Sequence, residues 1–480
     1  MSLPLSQVIH RPVSPDPHIT GVTADSRKVK PGYLFAALPG SRVDGRSFIP
    51  TALECGASAV LAPDDVAGLP APVVHASDLR RAYALAAKAL HPAQPEVVVA
   101  ITGTNGKTSV AAFCRQIFER LGHRSASMGT LGVVAAGEQL TPPGLTTPDA
   151  AEVSAMMAEL CRRHVTHLAL EASSHGVDQR RLDGVELTAA GFTNLSQDHL
   201  DYHGTMGVYR AAKLRLFESL LPRGRTAVLN ADSDAFAAFA ATAVVCGQSI
   251  LSVGEHGQGL RLLERHLTPD GQRLLIRAMG EDVQVRLPLA GAFQASNALM
   301  AAGLCIAAGE DTRAVLEALE HLESVPGRLQ HVGSGPNGGE TYVDYAHTPD
   351  GLETVLEAMR PHARGKLIVV IGAGGDRDKA KRPMMGEAAV RLADAVIVTD
   401  DNPRSEDPAA IRADVLAGAV GAREVGDRRD AIFEAVGMLQ EGDVLIVAGK
   451  GHEQGQTAAG VTQPFDDVAV TRDALEAARG

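Results

Sequence analysis

The chain has 480 residues and a formal charge of −12 at neutral pH; 45% of it is hydrophobic and 21% charged. That length exceeds one ordinary core and predicts about two to four domains. No apolar run reaches the roughly 18–20 residues of a membrane span, and an acidic balance without a basic block argues against nucleic acid as a partner.

The N-terminal stretch "MSLPLSQVIHRPVSPD" lacks a basic start followed by an apolar run, so a cytoplasmic chain without stable membrane insertion is expected. Residues 1–93 hold short apolar segments and turns, such as "KPGYLFAALPG" and "GASAVLAP", and end in the proline-bearing linker "HPAQPE". A second domain over 94–325 begins with "VVVAIT" and continues through "THLALEA", "AAGFTNL" and "TAVLNAD", alternating strand and helix patterns. A third, over 326–480, repeats the alternation with "TYVDYA", "KLIVVIG", "AVIVTD" and "DVLIVAG". The predicted fold class is therefore α/β, with mostly parallel sheets covered by helices. Cys55, Cys114, Cys161, Cys246 and Cys305 stand mostly in apolar contexts and read as reduced core residues rather than a disulfide or zinc frame.

The stretch "EVVVAITGTNGKTSVAAF" opens the chemistry. A strand runs into a glycine-broken turn, then Lys107-Thr108, then a helix. This is the layout of a phosphate-binding loop, shortened: the common pattern is Gly-x-x-x-x-Gly-Lys-Thr/Ser, and here only Thr104 and Asn105 separate Gly103 from Gly106. Glycines let backbone amides at a helix start approach phosphate oxygens, Lys107 adds a point charge, and the Thr108 hydroxyl can ligate magnesium. Val110, Phe113, Cys114, Ile117, Phe118 and Leu121 fall on one helical face as core, and Gly122 is placed to end the helix. Farther on, Glu171 ends the strand "THLALEA", where an acid can hold Mg²⁺. His199 alone reads as an exposed loop histidine, and spacing alone makes Lys213 a solvated helix-surface lysine. The basic cluster "DRDKAKR" at 376–382 suggests a small anionic ligand.

In order, "TGTNGKT", "EASSHG", "FTNLSQDHLDYHGT" and "AAKLRLF" resemble the central domain of the Mur ligases, the ATP-dependent amide-bond-forming enzymes of peptidoglycan precursor synthesis. "VPGRLQ", "DYAHTPD", "GAGGDRDKAKRPMM", "DNPRSEDP" and "AGKGHE" extend the resemblance over nearly the whole chain. The branch they resemble adds the third amino acid to UDP-N-acetylmuramoyl-L-alanyl-D-glutamate. The resemblance implies a small N-terminal α/β domain for the UDP-sugar, a central P-loop-type ATPase domain, and a C-terminal Rossmann-like domain for the amino acid.

By position, the resemblance implies ATP contacts at Gly103, Thr104, Asn105, Gly106, Lys107, Thr108 and Ser109, with Asn297, Arg328 and Asp344. Singly, Asn297 and Asp344 read as caps. Magnesium is implied near Thr108, Glu171, His199 and Lys213, the lysine as a carbamate, which turns a cation into an anionic oxygen ligand. Lys107, Glu171, His199 and Lys213 are the expected catalytic set. The UDP-sugar peptide would meet Ser26, Ser41, Arg42, Val43, Thr146, Thr147, Ser173, Gln179 and Arg181, whose guanidinium suits a carboxylate or phosphate. Arg377, Asp401, Asn402, Pro403, Arg404, Gly449 and Glu453 would hold the incoming amino acid. In the family "DNPR" accompanies meso-diaminopimelate, whereas lysine-adding members differ there. Departures are few: Gln197 where arginine is common, Ala172 where valine is, and Ala380 where glycine is.

Three other readings remain open from sequence, the first being the same reaction with L-lysine or L-ornithine as acceptor. A folylpolyglutamate synthase should lack the "DSRKVKPG" domain and the "DNPR" loop, and a nucleotide-dependent switch would need no acceptor pocket. For the ligase, small-molecule substrates (the UDP-N-acetylmuramoyl-dipeptide, meso-diaminopimelate and ATP) and a monomer are expected.

Overall fold

The computed structural model describes residues 2–40, 43–268 and 271–479. The chain divides into two compact units, residues 1–260 with 300–315, and residues 261–299 with 316–480.

In the first unit, the strands Gly21–Thr23, Tyr33–Ala36, Ala59–Ala62 and Val73–His75 form a parallel sheet in chain order. "YLFA" and "AVLA" are nearly continuous apolar runs because a helix-covered parallel strand is buried on both faces. The helix Leu79–Leu90 starts at Asp78, whose side chain accepts from the Arg81 amide, and buries Leu79, Tyr83, Ala87 and Leu90. Tyr83 donates its hydroxyl to Asp149 (2.5 Å), and Arg180 pairs with Asp78 (2.9 Å). Those contacts join the N-terminal sheet to the layer that follows.

That layer is a larger sheet whose order is Gly132–Ala135, Ser125–Gly129, His167–Glu171, Val97–Thr102, Ala189–Phe192, Thr226–Asn230 and Ser249–Gly254. All neighbours are parallel except the hairpin of the first two. Register decides where function can lie. Glu171 is paired with Ile101, and Phe192 with Thr102. Three strands therefore end at one level, and the loops starting at Gly103, Ala172 and Thr193 leave from the same edge, where open α/β sheets bind ligands. The helix Lys107–Arg120 buries Val110, Phe113, Cys114, Ile117 and Phe118 completely, as the periodicity predicts, while Leu121 is its half-buried C-cap.

In the second unit, Leu260–Thr268, Gly271–Ala278 and Glu281–Leu287 form a β-meander, its last two strands antiparallel. The expected alternation of strand and helix up to residue 325 does not hold here. Period-two patterning explains why: Leu274, Ile276 and Ala278 are buried while Arg273 and Arg277 face solvent. The C-terminal sheet runs Gln330–Ser334, Glu340–Asp344, Val444–Ala448, Leu367–Ile371, Ala395–Val398 and Arg423–Glu424, parallel save for its first strand. Its parallel strands deliver the loops after Asp344, Ile371, Val398 and Ala448 to one edge. The cysteines correct the expectation of a mostly buried set: Cys114 and Cys305 are buried, Cys161 and Cys246 partly exposed, and Cys55 exposed, all as thiols.

Arg428 and Asp467 form a doubly hydrogen-bonded ion pair, Nε–Oδ1 2.8 Å and Nη2–Oδ2 2.7 Å, with both side chains fully buried. Arg428 also donates to the carbonyl of Ala448, the last residue of a central strand. Removing one partner strands a buried charge, which costs about 3–5 kcal/mol. Asp467→Asn is expected to destabilise the second unit by about that amount and to speed amide exchange in Val444–Ala448, measured by hydrogen exchange on the full chain.

Candidate active site

The first unit's site is built on the loop between Thr102 and Lys107. Gly103 (φ +152°) lies against the next strand's loop: a Cβ there would meet Thr193 Oγ1 at 1.9 Å, so only glycine fits. Gly106 caps the helix at φ +86°, in the left-handed region. It brings no side chain to the first-turn amides, which carry the positive end of the helix dipole. The loop is held from the neighbouring strand's end. Asn105 N donates to Asn194 Oδ1 (2.9 Å), Thr193 Oγ1 to Asn105 O (2.6 Å), and Thr104 Oγ1 to Ser196 O (3.1 Å).

Two lysines meet this loop. Lys107 Nζ donates to the carbonyls of Gly103 (2.9 Å) and Thr104 (2.7 Å), and Lys213 Nζ donates to the same Gly103 carbonyl (2.7 Å). Lys213 is not the solvated surface lysine that spacing suggests: only 1% of it is exposed. Its amine also sits 4.4 Å from the centre of the Tyr209 ring, one helical turn back. Burial, reinforced by the nearby Lys107 charge, holds its pKa well below the ordinary lysine value.

Glu171, 2% exposed, accepts from Thr108 Oγ1 (3.0 Å), Thr130 N (2.8 Å) and Thr130 Oγ1 (3.2 Å). Thr108 and Glu171 thus form a compact set of oxygen donors, the chemistry that suits Mg²⁺. His199, at φ +52°, packs edge-on to His175 (4.8 Å) and faces Tyr209, whose hydroxyl meets Thr104 Oγ1 at 3.2 Å. Burial lowers its pKa, Asp198 opposes that shift, and Lys107 and Lys213 add to it. His175 beside it is pushed down to about 4 by burial and by His199 and His203. Neutral imidazoles of this kind are potential metal ligands.

A further network runs from Glu171 toward the expected peptide contacts. Thr146 Oγ1 meets Thr130 Oγ1 (2.9 Å), Thr147 Oγ1 donates to Glu171 O (2.8 Å) and meets Ser173 Oγ (3.0 Å). Arg181 donates to Thr147 O (2.6 Å) and to Gln179 Oε1 (2.8 Å). Ser109 is buried in the first helical turn. Ser26 sits apart, buried in the turn Ser26–Lys28, and Val43 is exposed; Ser41 and Arg42 lie outside the described residues.

In the second unit, Asn297 donates to Gln294 Oε1 (3.1 Å) one helical turn away. Asp344 is buried and accepts from the amides of Leu329 and Ala346 (both 2.7 Å); burial raises its pKa and the Arg328 charge opposes that rise. The Arg328 guanidinium lies 4.6 Å over the Tyr345 ring. Asn402 donates to Glu453 Oε2 (2.7 Å). Asp401 and Pro403 are buried beside it, and Gly449 sits close enough that a Cβ would stand 3.0 Å from Asp401 Oδ2. Arg404 adopts φ +54° and exchanges backbone hydrogen bonds with the hairpin of Gly455–Ala458 and Val461–Pro464, Arg404 N to Thr457 O (2.9 Å) and Ala459 N to Arg404 O (2.7 Å). Its Nη1 donates to Gly375 O (2.7 Å). A non-glycine residue held in this region costs about 1–3 kcal/mol and marks a position fixed by its surroundings. Arg377 is exposed.

Sequence reasoning missed Lys450. Its amine is fully buried and reaches Asn402 Oδ1 (3.1 Å), Asp401 Oδ1 (3.5 Å) and Glu453 Oε2 (3.5 Å), so it orients three of the expected acceptor-site residues at once. The available signal was its place between two glycines in "AGKGHE". Thr130 and Tyr209 were also missed, since threonine and tyrosine carry no motif of their own.

The chain matches the Mur ligase family catalytic domain over residues 18–107, the Mur ligase middle domain over 101–305, and the Mur ligase glutamate ligase domain over 327–451. It is 67% identical over 482 aligned residues to the UDP-N-acetylmuramoyl-L-alanyl-D-glutamate–2,6-diaminopimelate ligase of Caulobacter vibrioides, covering 99% of each chain. The corresponding ligase of Mesorhizobium japonicum is 53% identical, with 96% of each chain covered. Among solved structures, a UDP-N-acetylmuramoyl-L-alanyl-D-glutamate–2,6-diaminopimelate ligase superposes with TM-score 0.73 at 33% identity over 99% of each chain. A folylpolyglutamate synthase of Mycobacterium tuberculosis shares the fold at TM-score 0.63 and 20% identity, covering 77% of this chain and 92% of that one. This chain belongs to the Mur ligase family.

Proposed function

We propose that this chain is the ATP-dependent ligase that joins meso-2,6-diaminopimelate to UDP-N-acetylmuramoyl-L-alanyl-D-glutamate in peptidoglycan precursor synthesis. The observation that carries this reading is the 67% identity to the Caulobacter ligase along 99% of both chains. The folylpolyglutamate alternative is not favoured. No helix among the described residues is long and apolar enough to cross a membrane.

A carboxylate is a poor acyl donor, so amide formation needs it activated. The substrate carboxylate attacks the γ-phosphorus of ATP, an acyl phosphate forms, and ADP leaves. The diaminopimelate amine then adds to the carbonyl carbon and loses a proton, and the tetrahedral intermediate expels phosphate. In the first half-reaction this chain's contribution is positioning and charge. The amides from Gly103 to Ser109 cradle the phosphates, and Lys107 exchanges its loop carbonyls for a phosphate oxygen. Thr108, Glu171, His199 and carbamylated Lys213 would hold magnesium, which supplies neutralisation of the phosphate charge.

Lys213 suits carbamylation because the reaction needs a neutral amine: its nitrogen forms a bond to CO₂ carbon and a proton is released. Burial and the Lys107 charge favour that neutral form. In the peptide site, Arg181 offers charge-assisted hydrogen bonds to a substrate carboxylate, with Thr146, Thr147, Ser173 and Gln179 beside it. Ser26, Val43 and the loop through Ser41 and Arg42 would take the nucleotide-sugar end, and Asn297, Arg328 and Asp344 the adenosine.

For the acceptor, Asp401, Asn402 and Glu453 offer oxygen atoms to an ammonium, while Arg377 and Arg404 offer cations to carboxylates; Pro403 and Gly449 shape the loops. Lysine lacks the second carboxylate that diaminopimelate carries beside its distal amine. An arginine left without its anion penalises lysine, so selection works by rejection as well as attraction.

Lys213→Ala is expected to lose most turnover, and a short carboxylate such as formate should restore part of it where bicarbonate does not. Full activity in the unsupplemented mutant would remove the carbamate from the mechanism. In a competition assay of ADP release with meso-diaminopimelate, lysine and ornithine, the wild type should require an amine and prefer diaminopimelate. Losing a hydrogen bond to a charged group costs about 1.5–3 kcal/mol, so Arg404→Ala should lose about 10- to 150-fold in kcat/KM for diaminopimelate and much less for lysine. Equal losses for both amino acids would mean that Arg404 only braces its loop through Gly375.

A further inference from the structure

Far from the nucleotide loop, three ligand-type side chains meet in the first unit. His167 opens the strand whose last residue is Glu171, so it lies at the sheet edge opposite the phosphate loop. His123 follows the helix Lys107–Arg120, and Glu310 follows the helix Ala292–Ala307. The two imidazoles are stacked, with centroids 3.9 Å apart and planes at 28°. Both direct Nε2 at one carboxylate oxygen: His123 Nε2 is 2.9 Å and His167 Nε2 3.5 Å from Glu310 Oε1. The candidate ligand atoms lie within 4.8 Å of one another.

A simple ion pair explains only half of this. One protonated histidine satisfies Glu310, but a second imidazole stacked on the first and aimed at the same oxygen gains little in that arrangement. Metal–ligand bonds of about 2.0–2.2 Å place the ligands of a tetrahedral ion about 3.3 Å apart, and the two histidine-to-carboxylate separations lie on either side of that value.

The neighbouring groups fit too. His167 Nδ1 is 2.8 Å from Thr166 Oγ1, and that hydroxyl donates to Arg124 O (3.4 Å). The Thr166 oxygen is then the acceptor of an Nδ1–H, which leaves the Nε2 lone pair turned toward Glu310. Outer-sphere bonds of this kind orient metal-bound histidines. Phe118 packs against the His167 ring, with centroids 4.6 Å apart and planes tilted by 50°. The His123 side chain is one-third exposed, so water can reach the remaining position.

We propose that His123, His167 and Glu310 form a binding site for a divalent transition ion of the Zn²⁺ class, separate from the nucleotide site. Two imidazoles and a carboxylate favour Zn²⁺ or Co²⁺ over Mg²⁺. The ion would tie together the ends of two helices and the start of a central strand, making it a structural clamp on the unit that carries the phosphate loop.

The test uses the full chain, stripped with a chelator and titrated with Co²⁺ in excess Mg²⁺. The wild type should bind one Co²⁺ with tetrahedral visible absorption, lose that band to Zn²⁺, and gain thermal stability. His123→Ala and Glu310→Gln should each weaken this Co²⁺ site while keeping circular dichroism and basal ligase turnover. Thr166→Val should weaken Co²⁺ binding about 10- to 100-fold, with Thr166→Ser restoring it. Failure of the wild type to bind Co²⁺ would overturn the proposal and leave an ion-pair cluster. An unchanged band and stoichiometry in both His123→Ala and Glu310→Gln would also overturn it, by assigning the ion to another group such as His175, His199 and His203.

Discussion

Two lysine amines donate to one carbonyl oxygen, that of Gly103, and the first unit's site is organised around that junction. Like charges held on one oxygen repel: at an effective dielectric of about 20, unit charges at about 4 Å cost about 4 kcal/mol. Burial of Lys213 adds a desolvation cost to its ammonium form. One backbone oxygen does not neutralise two cations. The arrangement would be relaxed by a phosphate facing Lys107 and by conversion of Lys213 to an anion, as proposed above. The same physical fact therefore favours both nucleotide binding by the loop and chemical modification of the lysine.

The junction depends on the sheet. Gly103 leaves its strand at the level where the neighbouring strands release the Glu171 and Thr193 segments. Thr193, Asn194 and Ser196 then hold the loop from one side while Glu171 gathers Thr108 and Thr130 on the other. Parallel register converts strands distant in sequence into one array of donors and acceptors. The second unit uses the same device, with Asp401, Asn402, Lys450 and Glu453 drawn from loops at the ends of two parallel strands.

Features written in local patterns were legible in the sequence. The face of the helix Lys107–Arg120, the parallel strands of the C-terminal sheet and the glycine-broken loop all follow from spacing of residue types. The meander of Leu260–Thr268, Gly271–Ala278 and Glu281–Leu287 departs from strand–helix alternation, and only the period-two pattern of its strands marks it. Lys213 was misread by spacing because a lysine's burial is decided by what packs against it, although Tyr209 four residues earlier marked the face it shares. Lys450 escaped notice for the same reason. The His123, His167 and Glu310 cluster was invisible, since its members come from three separate stretches of chain and only folding brings them together.

The central claim is that the site's two-lysine junction is completed by carbon dioxide on Lys213. ¹³C NMR of the active protein equilibrated with ¹³C-bicarbonate tests it directly. The account predicts a carbamate resonance in the wild type that is absent from Lys213→Met. Fully active wild-type protein with no such resonance, or a resonance that persists in Lys213→Met, would contradict it.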